Sequence, residues 1–226
     1  PPPPPPPPPP SFQAEDGIRD IVARLVGSEM CIRDSVDFAS VLDDDRRFAN
    51  GIAVGADGTI YVTDTGAGVI YAVDSSYTPS VFADVDAFEP DRSGPTASGL
   101  NGIVAIDGAL IVGHSATGEL LRVSLSDPSR VDVVPTGVDG MAIDGLHLSD
   151  DGSTLAVVSN VGGAVHLFES NDGWTTATEV SRFETGATFP TSATDVDGDF
   201  YVLNGHFAQL PDLSFDTFEI VPVVAD

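Results

Sequence analysis

One pattern of apolar and polar positions occurs four times along the chain. Residues 50–65 read as a strand, a tight turn at Asp57-Gly58 and a second strand. Residues 101–115 repeat this around Asp107-Gly108, and residues 144–160 around Asp151-Gly152. A weaker copy, 190–204, turns at Asp197-Gly198. Short apolar runs follow these pairs at 69–74 and 81–83, at 119–124 and 131–134, at 164–169 and 179–184, and at 215–223. Each unit therefore holds about four strands, and the units recur at roughly 40–50 residues, a period that propeller blades share. A unit this small cannot bury its own apolar faces, so neighbours must stack. The pattern predicts an all-β protein, a β-propeller of about four four-stranded antiparallel blades over 36–226. Residues 36–42 read as one further strand and 86–100 as a loop. No helix longer than about two turns is expected after residue 35.

The first 35 residues stand apart. Ten prolines open the chain, and a proline run forms an extended helix without a core. The strings Ala14-Glu15-Asp16-Gly17-Ile18-Arg19-Asp20 and Gly27-Ser28-Glu29-Met30-Cys31-Ile32-Arg33-Asp34-Ser35 resemble translated sequencing-adapter read-through. Residues 1–35 are accordingly expected to be non-native, disordered or spuriously helical, and to contribute nothing to the fold. The single cysteine, Cys31, falls inside this segment, so 36–226 carries no disulfide and no thiolate metal site.

Charge narrows the partners. Nine basic residues, all arginine, face 35 acidic ones, for a net charge of -26. Such a chain repels phosphate backbones, which argues against nucleic acid. No apolar run approaches the roughly 20 residues of a membrane helix. A small-molecule substrate is the expected partner, and the compartment stays open.

Hairpin geometry places the candidate chemistry. Two strands joined by a tight turn are antiparallel, so the start of the first lies beside the end of the second. The openings Asn50, Asn101, Asp144 and Pro190 form one column, and the endings Asp64, His114, Ser159 and Asn204 form another. Both columns belong on one rim, opposite the Asp-Gly turns. Asn50, Asn101 and Asp144 offer hard oxygen donors suited to a divalent cation, Ca²⁺ first, with Zn²⁺, Mn²⁺ or Mg²⁺ as alternatives. Asp144 also suits a general base. Asp64, His114, Ser159 and Asn204 would surround a substrate. A competing reading treats each Asn-Gly as a turn pair that shapes the link between blades. His147 and His166, inside strands, read as packing residues. The run 195–199 superficially matches a calcium loop but lacks its closing glutamate, and reads as a turn.

Phe48-Ala49-Asn50-Gly51, Leu100-Asn101-Gly102 and Ile143-Asp144-Gly145-Leu146 resemble the senescence-marker-protein/gluconolactonase (regucalcin-like) family. The resemblance implies a six-bladed propeller with one divalent cation in its channel and lactone or ester hydrolysis at the rim. Its ligands are a glutamate from the first blade, asparagines opening two middle blades and an aspartate opening the next. Asn50, Asn101 and Asp144 match the last three. Phe189-Pro190-Thr191-Ser192 resembles the start of the last blade. The likeness covers residues 36 to about 207. No residue matches the glutamate, which implies that about two blades are missing and that the remainder is an open arc. Such an arc, alone, is expected to aggregate or stay partly unfolded. The short Asn101–Asp144 spacing leaves Asp139 as a rival, although Asp144 aligns better through Asp151-Gly152. The alternative function is a non-catalytic propeller similar to the NHL-repeat class, binding a peptide or glycan.

Overall fold

The computed structural model describes residues 36–93, 98–186, 188–206 and 218–223. The expectation for residues 1–35 lies outside the described residues. Fifteen strands appear among those described, and the only helical turns are three-residue 3₁₀ turns, Phe38–Ser40 and Asp86–Phe88.

The strands form antiparallel sheets in sequence order. The first blade contains β1 (Ala49–Val54), β2 (Ile60–Asp64), β3 (Val69–Val73) and β4 (Pro79–Ala83). The second contains β5 (Leu100–Ile106), β6 (Ala109–His114), β7 (Glu119–Ser124) and β8 (Val131–Val134). The third contains β9 (Ile143–Leu148), β10 (Thr154–Ser159), β11 (Ala164–Glu169) and β12 (Thr178–Glu184). The fourth shows β13 (Pro190–Val196), β14 (Asp199–Asn204) and β15 (Glu219–Pro222) among the described residues. The chain is a β-propeller, as its repeats predict.

Burial follows position in the blade. β6 and β10 have neighbours on both faces and read as nearly continuous apolar runs, Ala-Leu-Ile-Val-Gly-His and Thr-Leu-Ala-Val-Val-Ser. β12 lies at a sheet edge and alternates between exposed and half-buried residues along its length. Between the first two blades, Ala53, Tyr61 and Ile70 pack with Leu100, Ile103, Leu110 and Val112. Between the second and third, Ile111 and Leu120 pack with Ile143, Leu155, Val157 and Phe168, with Trp174 at the margin. Between the third and fourth, Ala156, Val158 and Val165 meet Phe200 and Val202.

One detail departs from the sequence expectation. Residues 36–42 are not a strand. Phe38–Ser40 forms a 3₁₀ turn capped by Asp37, and Phe38 stacks on Tyr71 with ring centroids 4.1 Å apart. With Leu42 it covers part of the outer face of the first blade, because a stacked aromatic buries more there than an unpaired edge strand could. The order of the blades agrees with the open arc that the sequence leads one to expect. β1, β5, β9 and β13 stand side by side in that order, and among the described residues no comparable contact joins β13 back to β1.

Candidate functional site

Each inner strand opens with a bulge. The pairing register shifts between Ala49 and Ile52, between Leu100 and Ile103, between Ile143 and Leu146, and between Pro190 and Ser192. A bulge leaves a residue unpaired and re-aims its side chain, a common device beside functional sites. Asn50-Gly51, Asn101-Gly102 and Asp144-Gly145 occupy these bulges. They are not turn pairs.

The register also moves the fourth column member by one residue. Ala49 pairs with Asp64, Leu100 with His114, Ile143 with Ser159 and Pro190 with Asn204. Pro190 is therefore the counterpart of Ala49, Leu100 and Ile143, and Thr191 is the counterpart of Asn50, Asn101 and Asp144. Sequence comparison counted from the Asp-Gly turns and missed the shorter fourth bulge.

The glycines explain the spacing of the row. A Cβ added at Gly51 would lie 2.5 Å from the Asn101 carbonyl oxygen, one at Gly102 2.6 Å from that of Asp144, and one at Gly145 2.5 Å from that of Thr191. Each bulge thus sits backbone to backbone against the next, and only glycine allows the approach. Asn50, Asn101, Asp144 and Thr191 form four successive rungs. Asn101 stands next to Asp144 in this row, close enough for its amide to favour the ionised carboxylate. Asn50 is exposed, and its Nδ2 donates to Thr65 Oγ1 at 3.1 Å. The rival Asp139 is exposed in the link before β9, where it lines a separate recess of about 340 Å³ with Thr117, Glu119 and Thr136.

Asp144 is the electrostatic focus. Burial pushes its carboxyl above the ordinary aspartate value, while the amides of Asn160 and Asn101 pull the other way. Asn160 Nδ2 donates to Asp144 Oδ2 at 2.8 Å. Asn160 was missed in the sequence because its role depends on a neighbouring strand and not on any local motif.

The second column is buried and bonded to its own blade. Asp64 Oδ1 accepts from the backbone N–H groups of Phe48, Gly66 and Ala67 at 2.8, 3.0 and 2.8 Å. Ser159 Oγ accepts from Ala142 N at 3.2 Å, and Asn204 Oδ1 from Thr188 Oγ1 at 2.9 Å. His114 Nδ1 accepts from Thr117 N at 3.3 Å. Asp64 and His114 thereby anchor the turn after their second strand, and Ser159 and Asn204 the segment that leads into the first strand of their blade. Their hydroxyl neighbours, Thr63 and Thr65, tie blades together: Thr63 Oγ1 donates to the Asn101 carbonyl and Thr65 Oγ1 to the Leu100 carbonyl, each at 2.6 Å. His147 and His166 are paired with carboxylates, His147 Nε2 with Asp195 at 2.7 Å and His166 Nδ1 with Glu179 at 2.6 Å.

His114 yields a pH prediction. Its Nε2 is buried without a hydrogen-bond partner among the described residues, and burial pushes the imidazole below its ordinary value of about 6.5. As pH falls below that value the unfolded chain takes up the proton first, so stability present above it is lost toward the depressed folded value. Denaturant midpoints of the wild type should fall more between pH 7.5 and pH 5.5 than those of His114→Gln. Equal slopes would show that His114 is not buried neutral.

Among the described residues, no group of three or more His, Cys, Asp or Glu side chains is placed to hold a metal. Among them, no helix is long and apolar enough to cross a membrane. No protein-family model and no curated protein matches the chain. Solved structures do. Virginiamycin B lyase from Staphylococcus aureus is 15% identical with a TM-score of 0.54, over 71% of this chain and 50% of that one. The major allergen Mala s 1 of Malassezia sympodialis is 19% identical with a TM-score of 0.56, over 76% and 54%. Both are β-propellers, and the chain spans about half the length of each.

Proposed function

We propose that this chain is part of a propeller hydrolase of the gluconolactonase type, acting on a small lactone or ester at the rim that carries Asn50, Asn101 and Asp144. The observation that carries this reading is Asp144. It is a carboxylate at an inner-strand bulge, raised by burial and flanked by two amides, and among the described residues no arginine pairs with it. A carboxylate left without a cation at such a position is costly to bury and supports a role in binding charge or accepting a proton.

The donor set fits a hard divalent cation in type. One carboxylate and the amide oxygens of Asn101 and Asn50 are oxygen ligands of the kind Ca²⁺ accepts, with Mn²⁺, Mg²⁺ and Zn²⁺ as competitors. Three protein donors fall short of the six to eight that Ca²⁺ takes, so water and substrate complete the shell. A single carboxylate places the affinity at the weak end, with Kd on the order of 10⁻⁴–10⁻³ M. A bound cation supplies the charge that polarises an ester carbonyl. Asp144 would help hold that cation or accept a proton from the attacking water, with the Asn101 amide beside it. The fold neighbours include a lyase, so this framework hosts catalysis, and the substrate panel should include cyclic esters.

Calorimetric titration with Ca²⁺, Mn²⁺ and Zn²⁺ beside a lactone panel tests the reading. Asp144→Ala should reduce cation affinity more than tenfold and remove any turnover, and Asn101→Ala, which removes a neutral ligand, should act more mildly. Unchanged affinity in Asp144→Ala rejects the assignment. The internally bonded second column favours the other reading, a non-catalytic propeller that binds a peptide or glycan. Binding without turnover and without cation dependence would select it.

A further inference from the structure

In all four blades the residue after the second strand donates its backbone N–H to the residue two before the bulge: Thr65 to Phe48, Ser115 to Gly99, Asn160 to Ala142 and Gly205 to Phe189, at 2.8–2.9 Å. Thr65, Ser115, Asn160 and Gly205 are therefore equivalent. Two of them pair with the row residue of their own blade, and the donor inventories match. In the first blade, Asn50 Nδ2 donates to Thr65 Oγ1, which donates in turn to the Leu100 carbonyl of the next blade at 2.6 Å. In the third blade the direction reverses. Asn160 Nδ2 donates both to Asp144 Oδ2 at 2.8 Å and to the Pro190 carbonyl of the next blade at 3.1 Å. Leu100 and Pro190 hold the same register position.

A hydroxyl has one proton. It can reach a carbonyl while accepting from an amide, which suits Asn50. It cannot donate to a carbonyl and a carboxylate together. An amide NH₂ has two protons, which suits Asp144, an acceptor only when ionised.

We propose that Asn160 is the positioning residue of the Asp144 site. One of its N–H groups holds Asp144 Oδ2 and the other holds the Pro190 carbonyl of the fourth blade, which leaves the rest of the carboxylate for a ligand. That ligand is a divalent cation on the reading above, on which this inference rests. Asn160 touches no ligand itself and acts through Asp144. The orientation of the carboxylate is thereby tied to the seating of the fourth blade, because the same amide nitrogen holds the Pro190 carbonyl.

The test uses the full 226-residue chain at low micromolar concentration. Wild type, Asn160→Thr, Asp144→Asn and the double variant are compared by denaturant unfolding at pH 7 and by Mn²⁺ titration. Asn160→Thr leaves one buried acceptor without a donor. In the double variant the third blade carries the pair found in the first, and the loss is recovered. The penalty of Asn160→Thr on the unfolding constant should be at least tenfold larger with Asp144 present than in the Asp144→Asn background. Mn²⁺ affinity should fall at least tenfold in Asn160→Thr, with partial recovery in Asn160→Gln, which keeps both protons on a longer arm. Additive unfolding effects, or unchanged Mn²⁺ affinity in Asn160→Thr, overturn the proposal. A wild type that takes up no Mn²⁺ rejects the cation reading instead, and the unfolding cycle then decides the clamp. If Asn160→Thr does not fold, the expected sign of coupling is that the double variant does, and a double variant that fails equally overturns it.

Discussion

Gly102→Ala is expected to cost about 3 kcal/mol of stability, the upper end of overpacking penalties. The added Cβ would lie 2.5 Å from Leu146 N, 2.6 Å from the Asp144 carbonyl oxygen and 2.8 Å from Gly145 C, all of them backbone atoms of β9. No flexible side chain can give way, so β5 and β9 must separate. Gly102 does not adopt a positive φ, which leaves crowding as the source of the loss. For a domain of this size the melting temperature should fall by roughly 6–12 °C. Gly108→Ala is the control. It meets nothing within 4 Å but sits at φ +70, so it should cost only about 1–2 kcal/mol. Because separating the strands also moves Asp144 away from Asn101, Mn²⁺ affinity should drop with stability in Gly102→Ala and not in Gly108→Ala. A melting temperature within two degrees of wild type would mean that the glycine does not set the blade spacing.

The full chain should self-associate at tens of micromolar, driven by the two end faces of its blade series. Ile52 and Val54 of the first blade are 66% and 63% exposed, and Val196 and Ile220 of the fourth 57% and 71%. Ile52 holds the register of Ile103, which is only 4% exposed where the first blade packs against it. The first blade therefore presents the surface that its neighbour buries. Phe38 and Leu42 cover the outer half of that face and leave the inner strand bare. Burying such a side chain is worth about 1.5–3 kcal/mol, so Ile52→Glu with Val54→Glu should weaken association by at least an order of magnitude. The net charge of -26 slows the process without removing its cause. Sedimentation velocity across a concentration series reads the effect. A wild type that stays monomeric throughout would show that these faces are not sticky.

The propeller was legible because its signal is local and repeated. Four hairpins with an Asp-Gly turn, each flanked by short apolar runs, leave little room for another fold. The rim was legible only to within one residue. Thr191 was hidden behind Pro190 because the fourth bulge is one residue shorter, and bulges leave no compositional mark beyond a glycine. The Asn-Gly pairs look like turns in a string of letters. Their meaning lies in the neighbouring carbonyl, which is about 40–50 residues away in the chain. The same applies to Thr63, Thr65 and Asn160, whose partners belong to the next blade. Residues 36–42 are rich in apolar side chains and read as a strand, yet Phe38 packs on Tyr71 and the segment forms a cap.

The row of bulges separates frame from chemistry. Asparagine, asparagine, aspartate and threonine occupy one position in four blades, and the three described junctions keep the same backbone contact between a glycine and the next carbonyl. The diameter of the mouth is written in main-chain atoms, so the side chains there are free to vary without disturbing it. A lineage could exchange ligands, bases or specificity groups along this row one at a time, and a designer could do the same, with the glycine beside each position as the fixed point from which every variant is measured.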